Sequence, residues 1–340
     1  MGGATPLAAR QSVLVARAVF PQTLERLRQH FQVDASTDDR VLSRNELIER
    51  LQGKQGAMTF GVERIDADLL TACPQLRVVA NMMVGTNNFD LAACTAAGVL
   101  ATNTPDVLTE TTADFGFALM MATARRMAEA EVYLRSGRWS KWSHDLLVGS
   151  DVHGTTLGIL GMGRIGQAIA RRGALGFGMR VIYHNRSRLD EPVEAALQAR
   201  LVSKTELLAH SDHLVLVLPY SASTHHAIGA DELTLMKPTA TLTHLARGGI
   251  VDDAALADAL RERQIAAAGL DVFEGEPAVH PALLQLPNVV LTPHIASASV
   301  ATRRAMAELA ADNLIAALTG GTPPTPVNPE VLPLHLDFGV

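Results

Sequence analysis

Residues Gly154 to Arg188 read GTTLGILGMGRIGQAIARRGALGFGMRVIYHNRSR, and this stretch decides the fold. An apolar strand, Thr156 to Leu160, runs into Gly161-Met162-Gly163-Arg164-Ile165-Gly166, which fits G-x-G-x-x-G. Gly161 permits the tight turn. Gly163 lets a pyrophosphate approach the backbone, and Gly166 lets helix and strand pack closely. A helix bearing Ile165, Ala168, Ile169 and Arg172 follows, so its N-terminal N–H groups and positive dipole end face the phosphates. Strand, turn and helix together point to a dinucleotide site.

The next strand, Gly178 to Tyr183, leads into His184-Asn185-Arg186-Ser187-Arg188. An NAD site places an acid about 20 residues past the glycine turn, on the ribose 2′-hydroxyl. Asn185 stands there instead, followed by Arg186, Ser187 and Arg188. A carboxylate would repel a 2′-phosphate, whereas an amide, a hydroxyl and two guanidiniums attract it. The sequence therefore favours NADP(H) over NAD(H).

Working outward, further short apolar strands are expected at Leu214 to Leu218, Ala240 to Leu245, Ala268 to Val272 and Val289 to Thr292. With Thr156 to Leu160 and Arg180 to Tyr183 they make six, suited to a doubly wound parallel sheet. The first hundred residues alternate strand and helix as a smaller α/β domain. Ser12 to Ala18, Ala57 to Phe60, Leu76 to Met82 and Val99 to Asn103 read as strands, and Pro21 to Phe31 and Asp90 to Ala97 as helices. Thr109 to Met127 reads as one long helix. Val300 to Leu318 is a final helix without a strand of its own to cover, so it is assigned back to the first domain. The expected division is a discontinuous domain, 1–104 plus 295–340, and a Rossmann domain, 105–294. The proline-bearing tail from Gly320 through Pro333 is expected to be extended.

A chain of 340 residues has room for two cores. The formal net charge of −6 offers no basic footprint for nucleic acid. No apolar run reaches the ~18 residues that span a membrane. The N-terminal stretch reads as a strand rather than a secretion signal. Cys73 and Cys94 have no metal-ligand spacing, no metal is expected, and both read as buried thiols in a cytoplasmic protein.

Ligands of such sheets lie past the carboxyl ends of the strands. Arg247, Asp271, Glu276 and His294 stand there. Arg247 can clamp a carboxylate and polarise a carbonyl. Protonated His294 can donate to the carbonyl oxygen as hydride arrives at carbon, and Glu276 can orient and charge His294. The trio suits reduction of a 2-keto acid. His210, His213, His225, His226 and His280, in helical or loop contexts, read as structural.

At this point the chain resembles the D-isomer-specific 2-hydroxyacid dehydrogenase family. The segments that carry the likeness are GMGRIGQAIARR (Gly161 to Arg172), ARGGIVDD (Ala246 to Asp253), AAGLDVFEGEP (Ala267 to Pro277) and PHIASA (Pro293 to Ala298). The resemblance implies Arg247, Glu276 and His294 as catalytic residues, with Asp271 facing the nicotinamide amide. Leu218, Pro219, Thr224 and Ala246 would line the cofactor, and amides near Val84-Gly85 would hold the substrate carboxylate with Arg247. VVANMMVGTNNFD (Val78 to Asp90), TPDVLTETTADFGFALMMATARR (Thr104 to Arg126) and YHNRSR (Tyr183 to Arg188) are most similar to the glyoxylate/hydroxypyruvate reductases, some of which also reduce 2-ketogluconate. That subgroup implies NADPH and a homodimer, with an arm over Arg135 to Gly149 and Trp139 or Trp142 reaching the partner. One departure is His244, where the family often has Asn in Asn-x-x-Arg. The same scaffold also serves larger 2-keto acids or other small anions such as phosphite and formate. A non-catalytic nucleotide sensor is the alternative of a different class.

Overall fold

The computed structural model describes residues 10–332. It divides into two α/β units, one running to Leu108 and resuming at Ser299, the other spanning Thr109–Ala298. Both boundaries fall a few residues later than the sequence suggested. Asp271 supplies the reason at the second one. Its carboxylate accepts the Ile295 and Ala296 amides, both at 2.9 Å, and Ala296 is buried in the core of the second unit.

In the first unit β1 (Ser12–Val15), β2 (Gln32–Ala35), β3 (Gly56–Thr59), β4 (Val78–Asn81) and β5 (Leu100–Thr102) form a parallel sheet in the order β2-β1-β3-β4-β5. Its helices include α1 (Pro21–His30), α2 (Arg44–Leu51), α3 (Ala67–Ala72) and α4 (Leu91–Ala96). The inner strands β3 and β4 and the edge strand β5 are buried along their length, as an all-parallel sheet covered on both faces requires. A capping box, Ser43 with Glu46, starts α2.

The second unit opens with α5 (Thr109–Ala124), three residues shorter than the helix expected over Thr109 to Met127, and with α6 (Met127–Arg135), a helix the sequence reading does not include. Arg126 separates the two by adopting φ 53, in the left-handed region, with its guanidinium bonded to Glu129. Then come β6 (Thr156–Leu160), α7 (Arg164–Arg171), β7 (Arg180–His184), α8 (Glu191–Leu197), β8 (Ala199–Leu201), α9 (Lys204–His210) and β9 (His213–Leu216). These are followed by α10 (Ala230–Thr234), β10 (Thr241–His244), α11 (Asp253–Arg261), β11 (Ala267–Leu270) and β12 (Val289–Leu291). The sheet is fully parallel, ordered β12-β11-β10-β9-β6-β7-β8, with seven strands rather than six. The order turns back at β6, where β9 and β7 lie on either side, so the topological switch point lies at the glycine turn. His213 begins β9, not a loop, and its buried ring is bonded to Thr241 and to the Asp151 carbonyl.

Past the second unit, α12 (Val300–Leu318) covers β3 and β4 of the first. Arg26 and Thr23 of α1 bind Glu308, and Arg26 also pairs with Asp312. The tail is not one extended run. Pro326 bridges to Thr102, and Pro329–Val331 forms a 3-10 turn, while Pro333 lies outside the described residues. No helix among the described residues is long and apolar enough to cross a membrane.

Candidate active site

The glycine turn has distinct clearance at each position. Gly161 sits at φ 99, and a Cβ there would lie 2.8 Å from Leu218 backbone atoms. A Cβ on Gly166 would lie 2.4 Å from the Gly161 carbonyl oxygen. Gly163, the N-cap of α7, has nothing within 4 Å of the Cβ position, and no side chain caps the first turn of the helix. Two glycines thus serve packing and one opens the helix end, an arrangement that fits a diphosphate. Met162 is buried and Ile165 packs on the core, so these two offer a ligand only their backbone. Arg164 is exposed at the start of α7.

At the end of β7, Asn185 donates to the Ser187 carbonyl at 3.1 Å. Arg188 is bound by Glu194 of α8, at 2.7 and 3.0 Å. Glu194 also accepts the buried Tyr183 hydroxyl. The Arg188 bond, then the Tyr183 bond, hold the Glu194 carboxyl below its ordinary range against burial. Arg186 and Ser187 are exposed, and Arg186 has no carboxylate partner among the described residues. The two arginines read alike in the sequence are therefore unlike, and Glu194, which separates them, had no signal in the motif.

Arg247, Glu276 and His294 come from the loops after β10, β11 and β12. His294 Nδ1 lies 2.8 Å from Glu276 Oε2. The other Glu276 oxygen accepts the Phe273 amide at 2.9 Å. Burial pushes the Glu276 carboxyl up, but the His294 bond and charge, the Phe273 amide and Arg247 together hold it below its ordinary value. A Cβ on Gly248 would meet the Phe273 carbonyl at 1.7 Å, so the Arg247 loop lies directly against the loop that carries Glu276. Arg247 donates to the Ala246 carbonyl at 2.6 Å and has no ion-pair partner among the described residues. Burial lowers its pKa, opposed by Glu276, yet a guanidinium stays charged.

His294 itself has φ 54, a strained conformation for a non-glycine residue. Its amide donates to the Asp271 carbonyl at 2.9 Å. The Asp271 carboxylate accepts from Thr292 Oγ1 at 2.7 Å and from the Ile295 and Ala296 amides. Burial raises the Asp271 carboxyl, and these donors oppose it. Asp271 thus anchors the His294 loop, a role that no local sequence pattern announces.

Of the remaining expected residues, Leu218 touches the glycine turn. Thr224 folds its hydroxyl onto the Pro219 carbonyl at 2.9 Å. In the first unit, the Val84 and Gly85 carbonyls are held by the amides of Asn103 and Asn81, at 2.7 and 2.8 Å. His225, His226 and Glu274 cluster at the surface, with His226 bonded to Glu274 at 2.9 Å. A cavity of about 580 Å³ beside Thr156, Arg180 and Lys237 opens at the amino ends of β6 and β7, away from the trio.

A seven-stranded parallel sheet with an open glycine turn defines a dinucleotide-binding α/β protein, and the carboxylate–imidazole pair beside a guanidinium gives it the groups for proton transfer. Residues 117–296 match the D-isomer specific 2-hydroxyacid dehydrogenase, NAD binding domain. The chain is 50% identical over 327 residues to a glyoxylate reductase of Thermococcus onnurineus (strain NA1), covering 95% of this chain and 97% of that protein. It is 38% identical, with TM-score 0.83, to an NADPH-dependent glyoxylate/hydroxypyruvate reductase of Sinorhizobium meliloti solved with NADP and malonate, covering 95% and 98%. A glyoxylate reductase from Paecilomyes thermophila superposes with TM-score 0.85 at 32% identity, covering 95% and 100%. The chain belongs to the D-isomer specific 2-hydroxyacid dehydrogenase family and is an oxidoreductase.

Proposed function

We propose that this protein is an NADPH-dependent reductase of small 2-keto acids, with glyoxylate and hydroxypyruvate first and 2-ketogluconate next, yielding the D-2-hydroxy acids. The observation that carries this reading is the 2.8 Å His294–Glu276 pair near an Arg247 that makes no ion pair among the described residues. The reduced nicotinamide supplies hydride when bound. Arg247 holds the substrate carboxylate and draws electron density from the carbonyl. Glu276 occupies His294 Nδ1, which leaves Nε2 to give its proton to the carbonyl oxygen. Hydride at carbon and proton at oxygen complete the alcohol. Arg186, exposed after β7 with no carboxylate partner among the described residues, supports recognition of the 2′-phosphate.

The protein acts as a homodimer in this reading. Val132, Leu134, Trp139, Trp142 and Val148 are all more than half exposed on the second unit, a density of apolar surface that suits cover by a second copy. A cytoplasmic setting agrees with Cys73 and Cys94, free thiols that burial raises, Cys94 to about 11.

NADPH oxidation, followed by absorbance across a panel of 2-keto acids, tests the proposal. Turnover with glyoxylate and hydroxypyruvate, faster with NADPH than NADH, is expected. Turnover only on bulky 2-keto acids would move the substrate class, and faster turnover with NADH would refute the 2′-phosphate assignment.

A further inference from the structure

His244 ends β10, three residues before Arg247, and its side chain is almost wholly buried, 1% exposed. Nε2 lies 3.0 Å from the Arg247 carbonyl oxygen. A carbonyl only accepts, so Nε2 carries the proton and Nδ1 is a bare acceptor. Nδ1 is buried and has no partner among the described residues. Leaving a buried acceptor unmet is costly, so the imidazole is held here by what Nε2 does.

The main chain of the same residue works on the other side. The His244 carbonyl accepts the Asp271 amide at 3.0 Å. Asp271 in turn holds the amides of His294, Ile295 and Ala296. One residue therefore ties the Arg247 loop by its side chain and the His294 loop by its backbone. The Arg247 carbonyl also accepts the Ile250 amide at 3.3 Å, so the His244 bond is the shorter of its two tethers, and the guanidinium itself bonds, among the described residues, only to the adjacent Ala246 carbonyl. Where the guanidinium points is thus set by the backbone of 246–247. Burial, first, pushes His244 down to about 4, with the charges of Arg247 and His294 in the same direction and Glu276 and the Arg247 carbonyl opposed. It stays neutral beside the cationic site and does not compete with His294 as acid.

We propose that His244 is a positioning residue for Arg247, fixing the guanidinium for the substrate carboxylate through the bond from Nε2–H to the Arg247 carbonyl. The inference rests on the 2-keto acid reading of the same site.

The test compares His244→Leu, which removes the donor, with His244→Asn, which keeps one. His244→Met replaces the leucine variant should that fail to fold. Two quantities are read: KM against kcat for glyoxylate with NADPH, and calorimetric affinity of the NADPH complex for oxamate. The donorless variant is expected to raise KM and weaken oxamate by about tenfold, with NADPH affinity unchanged and His244→Asn restoring most of the loss. Equal KM and oxamate affinity in wild type and His244→Leu would overturn the proposal. So would equal losses in the Leu and Asn variants, which mark packing rather than a donor. A wild type that binds oxamate through His244 yet reduces no 2-keto acid would keep the positioning role and refute the catalytic reading. A wild type that does neither overturns both.

Discussion

Replacing His294 by Ala removes a positive charge 2.8 Å from the Glu276 carboxylate. At that separation two unit charges attract by about 1.5 kcal/mol even under water-like screening. Both side chains are only 31% exposed, so that figure is a lower bound. In pH terms it is about one unit. Burial pushes the Glu276 carboxyl up, and the His294 bond and charge lead the groups that hold it below its ordinary value. Without them the carboxyl takes up its proton at higher pH, by about one unit or more. The assay is carbon-13 NMR titration of glutamate-labelled protein, wild type against His294→Ala, with Glu276→Gln to assign the resonance and circular dichroism to confirm the fold. A Glu276 carboxyl that titrates at the same pH in both proteins refutes the carboxylate–imidazole coupling.

The glycine turn yields a contrasting pair. Gly166→Ala drives a Cβ to 2.4 Å from a carbonyl and should cost about 1–3 kcal/mol, read as a lower Tm. Gly163→Ala meets open space, so Tm holds while the NADPH Kd rises about tenfold, read by nicotinamide fluorescence. Arg186→Glu should lower the kcat/KM ratio of NADPH over NADH by about a hundredfold, whereas Arg188→Ala, which loses an ion pair with Glu194, should act mainly on stability.

What the sequence could express was local. The strand Thr156–Leu160 and the helix Val300–Leu318 have the expected limits because apolar runs and a cap at Ser299 mark them. The strands β2 and β8 have no such mark, because they are short edge strands, half-exposed, without an apolar run. The break at Arg126 is a single left-handed residue inside a good helical pattern. At the site, residue types after strand ends pointed to Arg247, Glu276 and His294. The sequence did not reveal that Arg188 is bound by Glu194, or that Asp271 and His244 anchor the two loops. The Asp271 bonds join residues that adjacent strands of the sheet bring together, whereas Arg188–Glu194 and His244–Arg247 are near neighbours whose pairing depends on side-chain direction and burial, which residue type and spacing do not give.

The central claim is that hydride from bound NADPH and a proton from His294 meet on one 2-keto acid. The direct measurement is transfer of deuterium from NADPH labelled at the nicotinamide C4 to C2 of glycolate, by mass spectrometry, in wild type and His294→Ala. Labelled glycolate from the wild type, falling by about a hundredfold or more in a variant that still binds NADPH, is the predicted result. Equal labelling by the two enzymes, or none from the wild type, would contradict it.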